Sequence, residues 1–473
     1  MYAFGAWRPD AAAANSGYAK VADGVVPKIV GQQIGYAPMA RLVTASGAEA
    51  LGGPPRGVHS AQKNDNSWLT FAATETTIEV VDSTYQWTDV ETGRSLAADA
   101  DVSFSAFGAY LLNTDVTNGF KAYNFEVPAG NNAVSGAPAA ASVFICNNVV
   151  FALGVSTNPR RFQSSGIGDH TAWSSKGADG KTFEDGGALI GGRDLKNGAA
   201  IMAQERALRL VQFGTGQGLY SITKIADGRG CVADRTLVGL DGIAFWWDTN
   251  GPWKYELGGR PIPIGKGKIN EWALTNIGAG NYKNLQGIAD PERNLVFWRI
   301  DDSRTLVYDV TLDEFTTVPL ASSALLRLAT PGVTIDNLGG TIDEMSGTID
   351  NRLLAGGALL LGALDMEGKF ATFTGESMPA TIEGALRNSP ITGIVGRATP
   401  IDDAPDGTLQ IGVTDSIDTA IQWKPGAAKT SSGRTALRAR GMNMAFRRNV
   451  TAGANWTYIL GVDHILPSGG GPR

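Results

Sequence analysis

The chain is poor in the residues that build metal centres and cross-links. It has two cysteines, Cys146 and Cys231, and three histidines, His59, His170 and His464, among 473 residues. None stands beside another at ligand spacing, so neither a zinc site nor a disulfide framework is expected. Cys146 lies in the apolar run Val143-Phe144-Ile145-Cys146 and reads as a buried thiol. A cationic excess is missing too: 40 Lys and Arg face 46 Asp and Glu, a net charge of −6. A surface that coats nucleic acid would need the opposite balance. No apolar run approaches the roughly 18 residues of a membrane helix, the nearest being the glycine-broken stretch Leu353 to Leu364. Met1 to Asp10 lacks the basic head and apolar run of a secretory signal, so export by that route is not expected.

Glycine is abundant instead, 61 residues and nearly twice the usual share, and 43% hydrophobic with 18% charged residues describes a folded, turn-rich chain. Residues 1 to about 60 are Ala-, Gly- and Pro-rich with little periodicity, and read as an extended arm that packs on something else. From Trp68 onward, short apolar runs alternate with turn residues. Leu69-Thr70-Phe71-Ala72, Thr77 to Val81, Tyr85 to Val90, Phe120 to Phe125 and Leu208 to Phe213 are of strand length. The pairs Asn147-Asn148 and Asp241-Gly242 tolerate left-handed backbone and predict hairpins, as does the glycine cluster Gly214 to Gly218. Only Lys268 to Leu274 and Ser322 to Leu328 carry short helical spacing. Groups of three or four strands recurring every ~40 to 60 residues predict a mainly β chain with a β-propeller over 61–380, a sandwich being the rival. Residues 381–473 hold further strands and, with the arm 1–60, are expected to form an additional β platform.

The candidate chemistry is thin. His170 in Gly168-Asp169-His170 has no serine elbow to serve, and Phe213 to Gly218 lacks the Lys-Ser/Thr pair of a phosphate loop. Asp301-Asp302 and Asp402-Asp403 are adjacent acids at expected turns, read as solvated turn residues rather than a glycosidase pair. Most of the eleven tryptophans read as core or inter-blade anchors rather than a sugar groove. The chain is therefore expected to be no enzyme, with no catalytic, metal or cofactor residues. One segment stands out: positions 419 to 462 hold no Asp or Glu but carry Arg434, Arg438, Arg440, Arg447 and Arg448, the candidate interface to a neighbouring subunit or an adaptor.

The order of several phrases resembles the tail-nozzle family of short-tailed phages, also called tail accessory or packaged-DNA stabilisation proteins. Phe4-Gly5 with Arg8-Pro9-Asp10 and Tyr36-Ala37-Pro38 looks like its opening arm, and Leu69 to Thr74, Tyr85 to Val90 and Val102 to Gly108 like its first propeller strands. Gly136-Ala137-Pro138 to Leu153, Asn158 to Ser165 and Asp169 to Trp173 carry the similarity furthest, with Asp241 to Trp246, Gly251-Pro252-Trp253 and Leu306 to Val310 later. The resemblance implies a propeller subunit whose terminal regions form a platform. It also implies a homohexameric ring beneath the portal and its adaptor, in the virion tail after assembly in the host cytoplasm. Such a ring extends the DNA channel, retains the packaged double-stranded genome, guides its ejection and docks fibres or spikes. A carbohydrate-binding or carbohydrate-active propeller and a cellular propeller scaffold remain the alternative classes.

Overall fold

A computed structural model describes residues 1–82, 84–214, 218–329, 359–417 and 419–464. Antiparallel four-stranded meanders fill most of it. Blades 1 to 5 span 57–92, 103–133, 140–182, 189–227 and 238–263, each a separate four-stranded sheet. Blade 6, with strands Gln286–Asp290, Leu295–Arg299, Arg304–Asp309 and Glu314–Pro319, fills the next sector but continues into a fifteen-stranded sheet. Blade 7 takes Ala324–Ala329, Leu359–Leu364 and Phe370–Thr372 and is completed by the N-terminal strand Val43–Thr44. The innermost strands contact one another in sequence, blade 7 meeting blade 1, so the circle closes as a β-propeller.

The predicted hairpins form for the predicted reason. Asn147 and Asn148 have φ of 48° and 59° between strands Ala140–Cys146 and Val149–Val155, and Asp241 and Gly242 have 49° and 83° between Val238–Leu240 and Ile243–Asp248. Phe213 pairs with Tyr220 across the glycine cluster, whose centre, 215–217, lies outside the described residues. Blade faces pack on both neighbours, so strands such as Val149–Val155 and Ala199–Gln204 are buried at every position. That two-sided burial is why these runs read as continuous rather than alternating. It also explains a correction: Ser322 to Leu328 is no helix, because Leu325, Leu326 and Leu328 bury on the two faces of the strand Ala324–Ala329. The other helix candidate does form, as Asn270–Asn276. Seven of the eleven tryptophans are buried, Trp246, Trp247 and Trp298 completely.

The platform is woven from both terminal regions. Ala19–Asp23 pairs in parallel with blade 6 through Asp23 and Thr317, and antiparallel with Ala380–Gly384. The strands Arg387–Asp402 and Thr435–Val450, sixteen residues each, pair antiparallel and are joined by Thr408–Thr414 and Ile459–His464. Gly24 marks the tightest crossing. Its φ is +75°, and a Cβ there would lie 2.0 Å from the Pro379 carbonyl. One apolar cluster runs from Trp247 and Trp298 of the propeller through Tyr36 to Phe446 and Trp456 of the platform. The arm 1–60 thus packs on its own chain, except that Gly57–Gln62 already opens blade 1.

Asp402, expected as a solvated turn residue, is fully buried at the end of its strand. It accepts from Arg448 Nε at 3.0 Å and from Lys429 Nζ, while Arg448 Nη2 also donates to the Asp406 carbonyl at 3.0 Å. One buried carboxylate therefore holds two cations, Arg448 sealed from water and Lys429 largely so. Asp403 behaves differently: it is exposed and accepts from the Thr457 and Tyr458 amides at 2.8 and 3.0 Å. Removing one partner of a buried pair strands the other, at a cost of about 3–5 kcal/mol, whereas an exposed hydrogen-bond acceptor is worth about 1 kcal/mol. Urea unfolding is expected to show that ranking, with Asp402→Asn far more damaging than Asp403→Asn. Equal midpoints would remove Asp402 from its central role.

Candidate functional site

Two places concentrate charge: the propeller axis and one face of the platform. The axis holds a cavity of about 820 Å³, bordered by the innermost strands of the blades. A single turn of 3-10 helix, Asp234–Thr236, reaches into it ahead of blade 5. Asp234 Oδ2 accepts from Ser142 Oγ of blade 3 at 3.1 Å and from Ser103 Oγ of blade 2 at 3.3 Å. Its Oδ1 accepts from Arg193 Nη1 of blade 4 at 2.9 Å. The next residue, Arg235, crosses the axis and grips Asp101 with both Nε, at 2.6 Å, and Nη2. Trp298 Nε1 of blade 6 donates to the Thr236 carbonyl at 3.1 Å. This one turn therefore ties blades 2 through 6 together and bars one end of the axis.

Local sequence made room for that hub. A Cβ on Gly191 would lie 2.0 Å from Asp234 Oδ1, so only glycine lets the carboxylate sit between blades 4 and 5. Elsewhere blades are stitched by pairs: Gln286 exchanges hydrogen bonds with the Leu325 amide and carbonyl at 2.9 and 3.0 Å, and Arg327 donates to the Ala289 carbonyl at 3.0 and 3.1 Å. Sequence reasoning missed all of these, because Ser103 and Asp234 are 131 positions apart and no motif links them.

The three histidines are dispersed. His59 lines the axial cavity, and burial, helped by the Arg193 charge, pulls its pKa from 6.5 down to about 4. His170 packs 4.3 Å from the Tyr110 ring and 5.7 Å from Phe107, and its carbonyl accepts from Trp173 Nε1 at 2.8 Å, which is an anchoring arrangement. His464 pairs by backbone with Ala398 at the end of the platform. Both cysteines are buried free thiols, raised in pKa by desolvation. Asp301 and Asp302 pair with Arg304 and Arg299 at their turn. Among the described residues no group of three or more His, Cys, Asp or Glu is placed to hold a metal, and no helix is long and apolar enough to cross a membrane.

The five candidate arginines do not share one surface. Arg448 is buried on Asp402, and Arg447 donates to Glu383 Oε2 at 2.6 and 2.9 Å while lying 3.9 Å over the Trp423 ring. Both are structural ion pairs of the platform. Arg434, Arg438 and Arg440 alternate with buried Thr435, Leu437 and Ala439 and face outward. Strand period 2 puts Arg448 on the same parity as Arg434, Arg438 and Arg440, so only the fold separates the buried pairings from the outward set.

Two measurements test the axis. Asp234→Asn and Gly191→Ala are each expected to lower stability by about 1–2 kcal/mol, the partial exposure of the Arg193 pair limiting the loss. Their effects should be less than additive because both act through one carboxylate. For His59, the folded pKa lies below the unfolded one, so acid protonates the unfolded chain first. Stability attributable to His59 is therefore expected to fall from about pH 6.5 to about pH 4 and to level off below. His59→Gln should flatten that part of the urea midpoint against pH; an unchanged profile would mean that the ring is solvated.

No family model matches the chain, and no curated protein matches it. Among solved structures it is similar to BBS1N in complex with ARL6DN, at 11% identity and a TM-score of 0.41, covering 71% of this chain and 97% of that one. The RRP9 WD40 repeats give 12% identity and 0.40, covering 60% and 86%, and streptogramin B lyase gives 10% and 0.37, covering 60% and 89%.

Proposed function

We propose that this chain is a structural subunit of a bacteriophage tail nozzle, forming a ring below the portal and its adaptor that extends the DNA channel, retains the genome and guides its ejection. The supporting observation is that both terminal regions of the chain are woven into one platform sheet continuous with a propeller blade. A subunit built in this way is a rigid block. It also fits the similarity of the opening arm and the propeller phrases to the nozzle family.

The barred axis favours the same reading. With Arg235 and Asp101 across it, the propeller is a closed building unit rather than a conduit, so DNA would pass between subunits and not through them. A net charge of −6 per subunit favours passage, since acidic walls repel phosphate and let it slide. Fibres or spikes would dock on the outer faces of the blades.

Electron microscopy of the purified chain added to portal-bearing particles that lack tails tests this directly. A sixfold tube below the portal is the expected image. Particles that stay bare at the portal vertex, with the chain free in solution, would remove the nozzle reading.

A further inference from the structure

The outward arginines belong to a larger group than the sequence indicated. Arg397, exposed on Arg387–Asp402, lies opposite Ala436 and so between Arg434 and Arg438 on the same face. Diagonal neighbours on a sheet face are about 7–8 Å apart, within reach of side chains as long as arginine, so these like charges repel. Four guanidinium groups, Arg397, Arg434, Arg438 and Arg440, are held together in this way. Among the described residues none has a carboxylate partner, in contrast to Lys429, Arg447 and Arg448 of the same sheet. An anionic surface would relieve that repulsion.

The face is not purely cationic. Met442 continues the outward alternation at 43% exposure, and Ile417 is 48% exposed in the adjoining turn, which Asn443 Nδ2 tethers through the Asp415 carbonyl at 3.3 Å. Asp415, exposed in that turn, pairs with none of the four arginines. Arginine and methionine beside exposed aliphatic surface is the composition of a protein interface; a phosphate track has no use for the apolar part.

A second copy of this chain offers the matching surface. Residues 57–380 hold 25 Lys and Arg against 36 Asp and Glu, whereas the two terminal segments together hold 15 against 10. The acidity is densest on blades 1 and 2. Asp65 and Asp82 are exposed in turns at one end of blade 1 and Asp89 on its outermost strand, and none of Lys63, Arg94 and Lys121 is exposed. The Asn64 amide donates to Glu126 Oε1 at 2.6 Å, which sets the Asp65 turn beside Val127, an aliphatic side chain 68% exposed. Carboxylates next to an exposed valine complement arginines next to an exposed methionine.

We infer that the four-arginine face of one copy docks on the acidic end of blade 1, beside Val127 of blade 2, of the next copy. Such a contact is heterologous: each copy uses two different patches, and repetition closes a ring or runs on as a filament. The inference rests on the nozzle reading only for the number of copies. Its electrostatic character makes assembly salt-sensitive.

Reciprocal charge reversal tests it on the full chain. One variant carries Arg434→Glu, Arg438→Glu and Arg440→Glu; the other carries Asp65→Lys, Asp82→Lys and Asp89→Lys. All six positions are exposed, and unchanged circular-dichroism melts confirm folding. In sedimentation the wild type is expected to form oligomers that dissociate as salt rises. Each variant alone should be monomeric, and an equimolar mixture should assemble again, because every contact is then made between opposite charges. A wild type that stays monomeric, an arginine variant that assembles like wild type, or a mixture that fails to reassemble would each overturn the inference. If the monomeric wild type retards duplex DNA and the arginine variant does not, the face binds nucleic acid and the second copy is the wrong partner. Self-assembly without binding to portal-bearing particles would keep this inference and remove the nozzle reading. A sixfold tube built by the arginine variant would do the reverse.

Discussion

An open β-sheet edge must be paired, covered or charged, and the whole molecule is arranged around that constraint. Seven blades in a circle protect one another everywhere except at the seam between the last and the first. Here the seam is sealed by two residues, Val43 and Thr44, which leave the N-terminal strands of the platform and pair with Phe370–Thr372 before the chain starts blade 1 at Gly57. The same passage takes Ala19–Asp23 between blade 6 and Ala380–Gly384. One N-terminal segment therefore closes the propeller and founds the platform, so neither part is complete without it. The continuous apolar cluster from Trp298 to Phe446 is the packing consequence.

Charge is used in two opposite ways. In the interior, two carboxylates are each shared by several donors: Asp234 serves three blades from the turn before a fourth, and Asp402 serves Arg448 and Lys429 inside the platform. Low dielectric makes such networks rigid when satisfied and costly when broken. On the platform surface Arg397, Arg434, Arg438 and Arg440 stand together without a carboxylate partner among the described residues. The contrast separates the residues that hold the subunit together from those free to meet another molecule. Arg447 and Arg448 fall in the first class and Arg434, Arg438 and Arg440 in the second, although all five lie within fifteen positions.

The barred axis changes how a nozzle of such subunits is to be pictured. The central cavity of a propeller is a ready conduit or ligand site, yet Arg235 and Asp101 span it and the Asp234 turn fills one end. In the proposed ring the lumen is a property of the assembly, its walls set by whichever faces the copies turn inward.

The sequence by itself determined the class of fold. Strand-length apolar runs, the left-handed pairs Asn147-Asn148 and Asp241-Gly242, and the glycine content fixed a turn-rich β chain, because hairpin geometry is decided within a few residues. Tertiary structure alone decided the rest. Ser322 to Leu328 is a strand because burial between two blades outweighs a weak helical spacing, and Asp402 is buried because two cations converge on it from 27 and 46 positions away. Asp234 became the axial hub, and Arg397 joined the arginine face, only through partners far off in the chain. Local propensities act over a turn or a strand, whereas ion pairs and sheet register depend on which distant segments the closed circle brings together.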